Sequence, residues 1–190
     1  FAASIRFVVH FQVWDLRDFA TDRHRKVDDE PYGGGKGMVM MCGPLFSAVR
    51  AVKRENPRAE VVLTCPRGTT FTQEIAKELA TREGIILICG HYEGVDERVS
   101  ALVDREISIG DYVLTGGELP AMVVVDAIAR LLPGVLPEDA PKSDSFFDSL
   151  LDWPCYTRPE EFEGMKVPDV LLSGNHEKIA RWRFSQALEQ

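Results

Sequence analysis

Cysteines are few and scattered: Cys42, Cys65, Cys89 and Cys155 stand far apart in the 190 residues, with no C-x-x-C pair. That spacing argues against a zinc ribbon or a disulfide scaffold and fits a reducing cytosol. Long hydrophobic runs are also missing. The longest, Leu119 to Leu132, is interrupted by Asp126 and Arg130 and is too short to span a bilayer. The first residues lack the charged-then-apolar pattern of an export signal, so a soluble, cytoplasmic protein with no membrane partner is expected. No tandem repeat is visible, which excludes a solenoid or propeller. Positive charge is in deficit, with 22 Lys and Arg against 30 Asp and Glu for a net charge of −8, so any polyanion site has to be local. Finally, no stretch matches G-x-x-x-x-G-K-[ST], and no strand-like run is followed by G-x-G-x-x-G. A P-loop and an ordinary dinucleotide fold are thereby excluded.

What remains is the composition of an ordinary globular protein, 45% hydrophobic and 27% charged with 15 glycines and 11 prolines; disorder is excluded as the main state. Short β-branched runs alternate with helical patterns. Glu60 to Cys65 and Ile85 to Cys89 predict buried strands, with a helix over Phe71 to Glu83 between them, which is a βαβ unit of a parallel sheet. Thr70 and Gln73 have capping-box spacing, Phe71, Ile75 and Leu79 form one stripe, and Gly84 ends the helix. Further strands are expected at Glu106 to Ile109, at Tyr112 to Thr115 and within Ile5 to Trp14. The fold class is therefore α/β with a mostly parallel sheet.

Leu119 to Leu132, with Pro120 near its first turn, predicts a helix that is apolar almost all round. A chain of this size rarely buries such a helix on every side, so part of its surface is expected to meet a second subunit. Prolines and charges from Pro133 to Ser143 read as a linker. The expected division is residues 1–136 as the main domain, 137–143 as the linker and 144–190 as a smaller helical domain. In that piece a helix is predicted over Ser145 to Leu151, capped by Asp144, and another from His176, capped by Asn175.

Three loops are rich in glycine: Pro31 to Met38, Gly90 to Gly94 and Gly110 to Glu118. The last two follow predicted strands, where open α/β sheets collect ligands and glycines let backbone groups approach them. The simpler reading is that such glycines only make tight turns. Asp18 to Asp29 places Arg23, His24, Arg25 and Lys26 in a row beside the first loop. That row suits a phosphate backbone, although Asp18, Asp22, Asp28 and Asp29 would weaken the clamp, and a solvated charged loop accounts for it equally well.

These words together resemble a family. Asp22-Arg23-His24-Arg25, Val27-Asp28-Asp29, Pro31-Tyr32-Gly33-Gly34-Gly35 and Gly37-Met38 are similar to the opening signature of the bacterial tRNA (guanine-N1)-methyltransferases of the SPOUT superfamily. Gly90 with Tyr92 to Arg98, Ser108 to Leu114 and Gly116 to Ala121 resemble its cofactor half; Asp144-Ser145-Phe146, Tyr156 to Pro159, Ser173 to His176 and Trp182-Arg183 follow in family order. The resemblance implies a deep trefoil knot, an exception to the avoidance of threading, and a small helical C-terminal domain that ends early here. It also implies that fewer residues than usual precede Leu16.

By the same resemblance, S-adenosylmethionine lies against Leu63, Pro66, Gly68, Tyr92, Glu93, Gly94, Ile109, Gly110, Tyr112, Leu114, Gly116, Gly117 and Pro120. Arg23, His24, Asp28, Gly33, Gly34 and Gly35 contact tRNA, and the pocket lies between the subunits of a homodimer. The implied reaction is methyl transfer to N1 of the guanosine at tRNA position 37. N1 of neutral guanine carries a proton, so a base must take it, and charge developing towards O6 needs a cation. Asp144 and Arg130 fill the family's positions for these groups. Each has a simpler reading: Asp144 as a helix cap, and Arg130 as the helical partner of Asp126. An aspartate is a poor base for so weak an acid, so the role requires desolvation of Asp144 or proton removal concerted with methyl transfer. The target base is expected to flip out, with Tyr32 stacking on it or packing in the core. Magnesium dependence is implied as well, but no spacing identifies its ligands and no metal residues are assigned. Two other readings compete: a non-catalytic RNA- or nucleotide-binding module, and a related ribose methyltransferase.

Overall fold

Val61, Val62 and Leu63, all essentially inaccessible to solvent, lie at the centre of the sheet in the computed structural model, which describes residues 11–137, 144–147 and 150–189. Three strands, β3 (Glu60–Thr70), β4 (Ile85–Cys89) and β5 (Arg105–Ser108), pair in the order β4-β3-β5, all parallel. Alternate residues of β3 point to opposite faces. Val61 and Leu63 join Met40, Leu45, Val49, Ile88 and Val99 on one side; Val62 joins Ala76, Leu79, Ile107, Val124 and Ile128 on the other. Helices cover both faces, which is why the strands read as near-continuous apolar runs. Helix α1 (Cys42–Glu55) supplies Leu45 and Val49 to the first face; α2 (Gln73–Ala80) and α3 (Glu118–Ala129) close the second.

The α/β class and the parallel pairing agree with the sequence, and Ile85 to Cys89 is the strand expected. Elsewhere the elements differ. β3 runs past Cys65: Thr64 and Thr69 both pair with Ile107, so the chain makes an excursion between them and resumes the ladder. Gly68 permits this, because a Cβ there would sit 2.4 Å from the Ile107 nitrogen. Since Thr70 is still in the sheet, opposite Ser108, the cap of α2 is Thr72, whose hydroxyl accepts from the Ile75 amide at 3.4 Å. Tyr112 to Thr115 is no strand: Gly110 at φ +147° turns the chain, and the Tyr112 ring folds back to donate to the Ile109 carbonyl at 3.3 Å. Residues 11–14 carry no regular structure, and the rest of the strand expected there lies outside the described residues. Several elements were not anticipated from the sequence, among them α1 and an antiparallel pair, β1 (Asp28–Asp29) with β2 (Val39–Met40), which makes the first glycine loop the tip of a hairpin.

The chain divides into units Phe1–Val135 and Leu136–Gln190; most of the expected linker lies outside the described residues. The second unit holds a small hairpin of β6 (Glu161–Phe162) and β7 (Met165–Lys166), then α4 (Asp169–Leu172) and α5 (His176–Glu189). Asn175 caps α5 as expected, its side-chain oxygen accepting from the Lys178 amide at 3.1 Å. Arg183 lies over the Trp153 ring at 4.7 Å, and Tyr156 meets Trp182 at 6.4 Å. The helix expected at Ser145 to Leu151 is not borne out where it is described. Residues 145–147 form a turn with Phe146 at φ +66°, a left-handed conformation that a right-handed helix cannot contain. Ser145 and Asp152 tie the turn through a 2.5 Å hydroxyl–carboxylate bond.

Candidate cofactor and nucleic-acid sites

Beyond the carboxyl ends of β3, β4 and β5 the chain leaves three loops, and a cavity of about 250 Å³ opens among them. Of the residues expected to hold the cofactor, all but Gly68 line it: Leu63, Pro66, Tyr92, Glu93, Gly94, Ile109, Gly110, Tyr112, Leu114, Gly116, Gly117 and Pro120. Gly68 instead packs on the backbone of β5. Thr64, Cys65, Gly90, His91, Val95, Ile107, Ser108, Val113 and Thr115 also line the cavity. None of these was among the residues expected to hold the cofactor, although all but Gly90 and Ile107 adjoin one that was, and Gly90, His91, Val113 and Thr115 lie in the glycine loops.

Close backbone approach shapes the cavity. The Gly117 amide donates to the Gly90 carbonyl at 2.7 Å, and His91 bridges Gly116. A Cβ on Gly117 would lie 2.7 Å from both the Gly90 nitrogen and the Cys89 Cα, so only glycine lets the start of α3 lie flat on the end of β4. The buried Thr64 hydroxyl sits at the same junction, 3.2 Å from the Ile88 carbonyl and 3.4 Å from that of Gly117. Apolar walls from Leu63, Ile109, Leu114 and Pro120, main-chain donors and acceptors, and the Glu93 carboxylate suit a flat heteroaromatic ring carried on a cationic chain.

The thiols nearby are inert. Burial and the adjacent Glu118 carboxylate push Cys89 up to about 11; burial, then its hydrogen bond to Glu106, raises Cys65. Glu106 is itself held low by Arg67, which forks to Glu106 at 3.0 Å and Glu97 at 2.8 Å. A wider hollow of about 470 Å³ lies at the opposite ends of the strands, around Lys53, Arg58, Glu60, Arg82 and Asp104. Its walls are joined by ion pairs, Arg82 to Glu60 at 2.7 Å and Lys53 to Asp104 at 3.5 Å. It is a charged surface at the end of the sheet where open α/β folds do not collect ligands.

The basic segment is ordered by its own acids. Asp22 accepts from the amides of His24 and Lys26, each at 2.8 Å. Arg25 turns back, its Nε donating to the Arg17 carbonyl at 3.1 Å while its guanidinium pairs with Asp18. Lys26 pairs with Asp29 at 2.9 Å, which raises the amine and lowers the carboxylate. Arg23 and His24 stand exposed, Asp28 is half-buried in β1, and Gly33, Gly34 and Gly35 adopt φ of +85°, +77° and +145° at the hairpin tip. Tyr32 is fully exposed, so it does not pack in the core of its own unit. Arg130 is exposed at the carboxyl end of α3 in the first unit, and Asp144 is exposed in the second.

Among the described residues no group of three or more His, Cys, Asp or Glu gathers to hold a metal ion, and no helix is long and apolar enough to cross a membrane.

Comparison with known proteins bears on these sites. The family profile described as tRNA (Guanine-1)-methyltransferase TrmD matches residues 2–190. The chain is 59% identical over 189 residues to a curated tRNA (guanine-N(1)-)-methyltransferase of Dictyoglomus turgidum, covering 99% of this chain and 76% of that protein. A protein of the same description from Chloroflexus aggregans is 61% identical over 178 residues, 93% of this chain and 70% of that one. A third, from Citrifermentans bemidjiense, is 54% identical over 190 residues, 99% and 76% respectively.

Proposed function

The chain belongs to the tRNA (guanine-N1)-methyltransferase family, and from that premise we propose that it transfers a methyl group from S-adenosylmethionine to N1 of the guanosine at tRNA position 37, beside the anticodon. The observation that carries the reading is the cavity beyond the strand ends, whose wall is made of glycine loops and apolar side chains, with the acidic residue Glu93 at its lip. Adenine needs flat apolar contact and main-chain hydrogen-bond partners, and a sulfonium or ammonium group is favoured beside Glu93. When bound, the cofactor supplies an electrophilic methyl group.

The chain's own residues do the rest. Asp144 takes the N1 proton and Arg130 offsets the charge that builds on O6; these are general-base and electrostatic contributions of the ordinary kind. Arg23, His24 and Asp28, with the glycine tip Gly33 to Gly35, hold the RNA. Tips with positive φ present amide donors to phosphate oxygens without side-chain interference. N1 is on the Watson–Crick edge, so the base leaves its stack to be reached. Gly68 belongs to the wall only indirectly, by letting β3 make its excursion and return to pair with β5.

The active enzyme is a homodimer, and Asp144 of one chain serves the cavity of the other. Support comes from α3: Leu119, Met122 and Val123 are exposed together on one side of a helix that is apolar almost throughout, the kind of patch that a second subunit covers. The knot comes with the family, and the close main-chain packing of Gly117 on Gly90, too tight for a Cβ and beside the cofactor loops, is in keeping with it. The second unit acts in tRNA binding as the family's C-terminal domain, and the enzyme works in the cytoplasm, where its substrate is. The described residues gather no set fit to hold the magnesium that the family resemblance implies, and no step is routed through it.

The test is direct. Incubated with labelled S-adenosylmethionine and tRNA transcripts, then digested to nucleosides, the protein yields N1-methylguanosine with guanosine at position 37 and none with adenosine there. Absence of the product with the first transcript, or equal labelling of both, would overturn the reading.

A further inference from the structure

The loop His91 to Val95 forms one lip of the cavity, yet little inside it holds its shape. Its internal support is one turn bond, Gly94 amide to His91 carbonyl at 3.0 Å, and Tyr92 adopts φ +58°, a conformation that a residue with a Cβ disfavours. The shape is imposed from outside, by the segment leaving the first glycine loop. The Glu93 amide donates to the Met38 carbonyl at 3.0 Å, the Met40 amide to the Gly94 carbonyl at 2.9 Å, and the Asp96 amide to the Met40 carbonyl at 2.9 Å. Any residue could make these main-chain bonds. One further bond depends on the side chain: the His91 amide donates to the Met40 sulfur at 3.1 Å.

We propose that Met40 is a positioning residue of the cofactor site, its thioether holding the His91 amide and so the lip that carries Tyr92 and Glu93. Met40 is 7% exposed and packs with Leu45, Val49, Leu63 and Ile88. A leucine would satisfy that packing equally well. What leucine lacks is an acceptor, and a thioether combines an apolar, unbranched body with lone pairs that accept weakly. His91 follows Gly90, whose carbonyl receives the Gly117 amide, so the bond lies where both cofactor loops meet. A lip already held in its binding shape loses less conformational freedom when ligand arrives, which strengthens binding without altering the chemical step. The inference rests on the proposed cofactor, and its test separates the two.

Amide hydrogen exchange, measured by NMR on the protein without ligand, reads the bond itself. In Met40→Leu the His91 amide should exchange about five to ten times faster, while amides of β3 keep their rates. Calorimetry should then show S-adenosylmethionine bound about three- to tenfold more weakly, with KM for the cofactor raised to match and kcat and KM for tRNA unchanged. Protein made with norleucine at its methionines, which keeps the shape and removes the acceptor, should repeat both effects; selenomethionyl protein, which keeps the acceptor, should restore wild-type values. That pair carries the test if Met40→Leu fails to fold. Wild-type exchange at His91 in the variant, undiminished cofactor affinity in the norleucine protein, or a lower melting temperature with no change in KM would overturn the proposal. A wild-type protein that bound no S-adenosylmethionine would instead overturn the proposed function, and exchange at His91 would still judge the bond.

Discussion

Gly117→Ala is the substitution on which the geometry speaks most sharply. The residue has an ordinary φ of −82°, so alanine is conformationally acceptable there and the cost is purely one of space. Its added carbon would stand 2.5 Å from the Thr64 hydroxyl, 2.7 Å from the Cys89 Cα and 2.7 Å from the Gly90 nitrogen. Two of these are backbone atoms of a sheet strand and its immediate extension, so relief must come from moving the first turn of α3 outward by about 1 Å to regain a carbon contact distance of roughly 3.5–4 Å. That movement breaks the 2.7 Å bond from Gly117 to Gly90. Overpacking of this kind costs about 1–3 kcal/mol and a lost hydrogen bond about 1 more, giving roughly 2–4 kcal/mol. For a protein of this size each kcal/mol lowers the melting midpoint by about 2–4 °C, so a fall of roughly 5–15 °C is expected.

Because Gly116, Gly117 and Pro120 line the cavity, calorimetric affinity for S-adenosylmethionine should fall at least about tenfold as well. Gly34→Ala provides the contrast: nothing lies within 4 Å of its would-be Cβ, but its φ is +77°. It should cost only about 1 kcal/mol, the penalty of the left-handed backbone, and leave cofactor affinity unchanged. Thermal melting and titration of the two variants side by side decide the matter. A Gly117→Ala protein that melts within about 1 °C of wild type and binds the cofactor normally would refute the spatial argument.

Asp144→Ala should keep cofactor affinity within about twofold and lose roughly 10²–10⁴-fold in turnover, the usual contribution of a general base; parallel loss of binding and rate would contradict that role. Thr64→Val removes the hydroxyl that sits between the Ile88 and Gly117 carbonyls, and urea unfolding should show a loss of about 1 kcal/mol, with an unchanged midpoint counting against it. The hydrogen bond from Arg98 holds Asp96 at about 2, below the unfolded value near 3.8, so its contribution is full above about pH 4 and disappears as pH falls through 2. Arg98 is largely exposed, so screening limits the effect to at most about 1 kcal/mol. Acid titration of wild type against Asp96→Asn should show the two stabilities converging below pH 3, and a constant gap would refute the linkage. Alkylation at pH 7 should modify exposed Cys155 well before Cys89, whose thiol is pushed up to about 11; the reverse order, read by mass spectrometry, would remove the burial argument.

Much of the cofactor half was legible in the sequence. Buried parallel strands are apolar on both faces, so Glu60 to Cys65 and Ile85 to Cys89 announce themselves, and glycines following such strands mark where backbone approaches a ligand. Tyr112 to Thr115 reads as a strand because its side chains are β-formers, whereas a single left-handed glycine at 110 decides its course. The parts played by Met40, Thr64 and His91 had no local signal, although Thr64 lies in a predicted strand and His91 in a glycine loop. Their importance comes from partners 24 to 53 positions away.

The order of residues by itself determined the α/β class, the family, and the glycine loops from which a ligand site is made, because periodicity, turn chemistry and motif words are local properties. Only the tertiary structure decided that the first glycine loop is a hairpin whose outgoing strand props the cofactor lip, that Gly117 lies flat on Gly90, and that Gly68 serves the sheet rather than the cavity. These depend on which main chains pass within contact distance of each other, and such distances are set by the packing of whole elements, which no window along the chain contains.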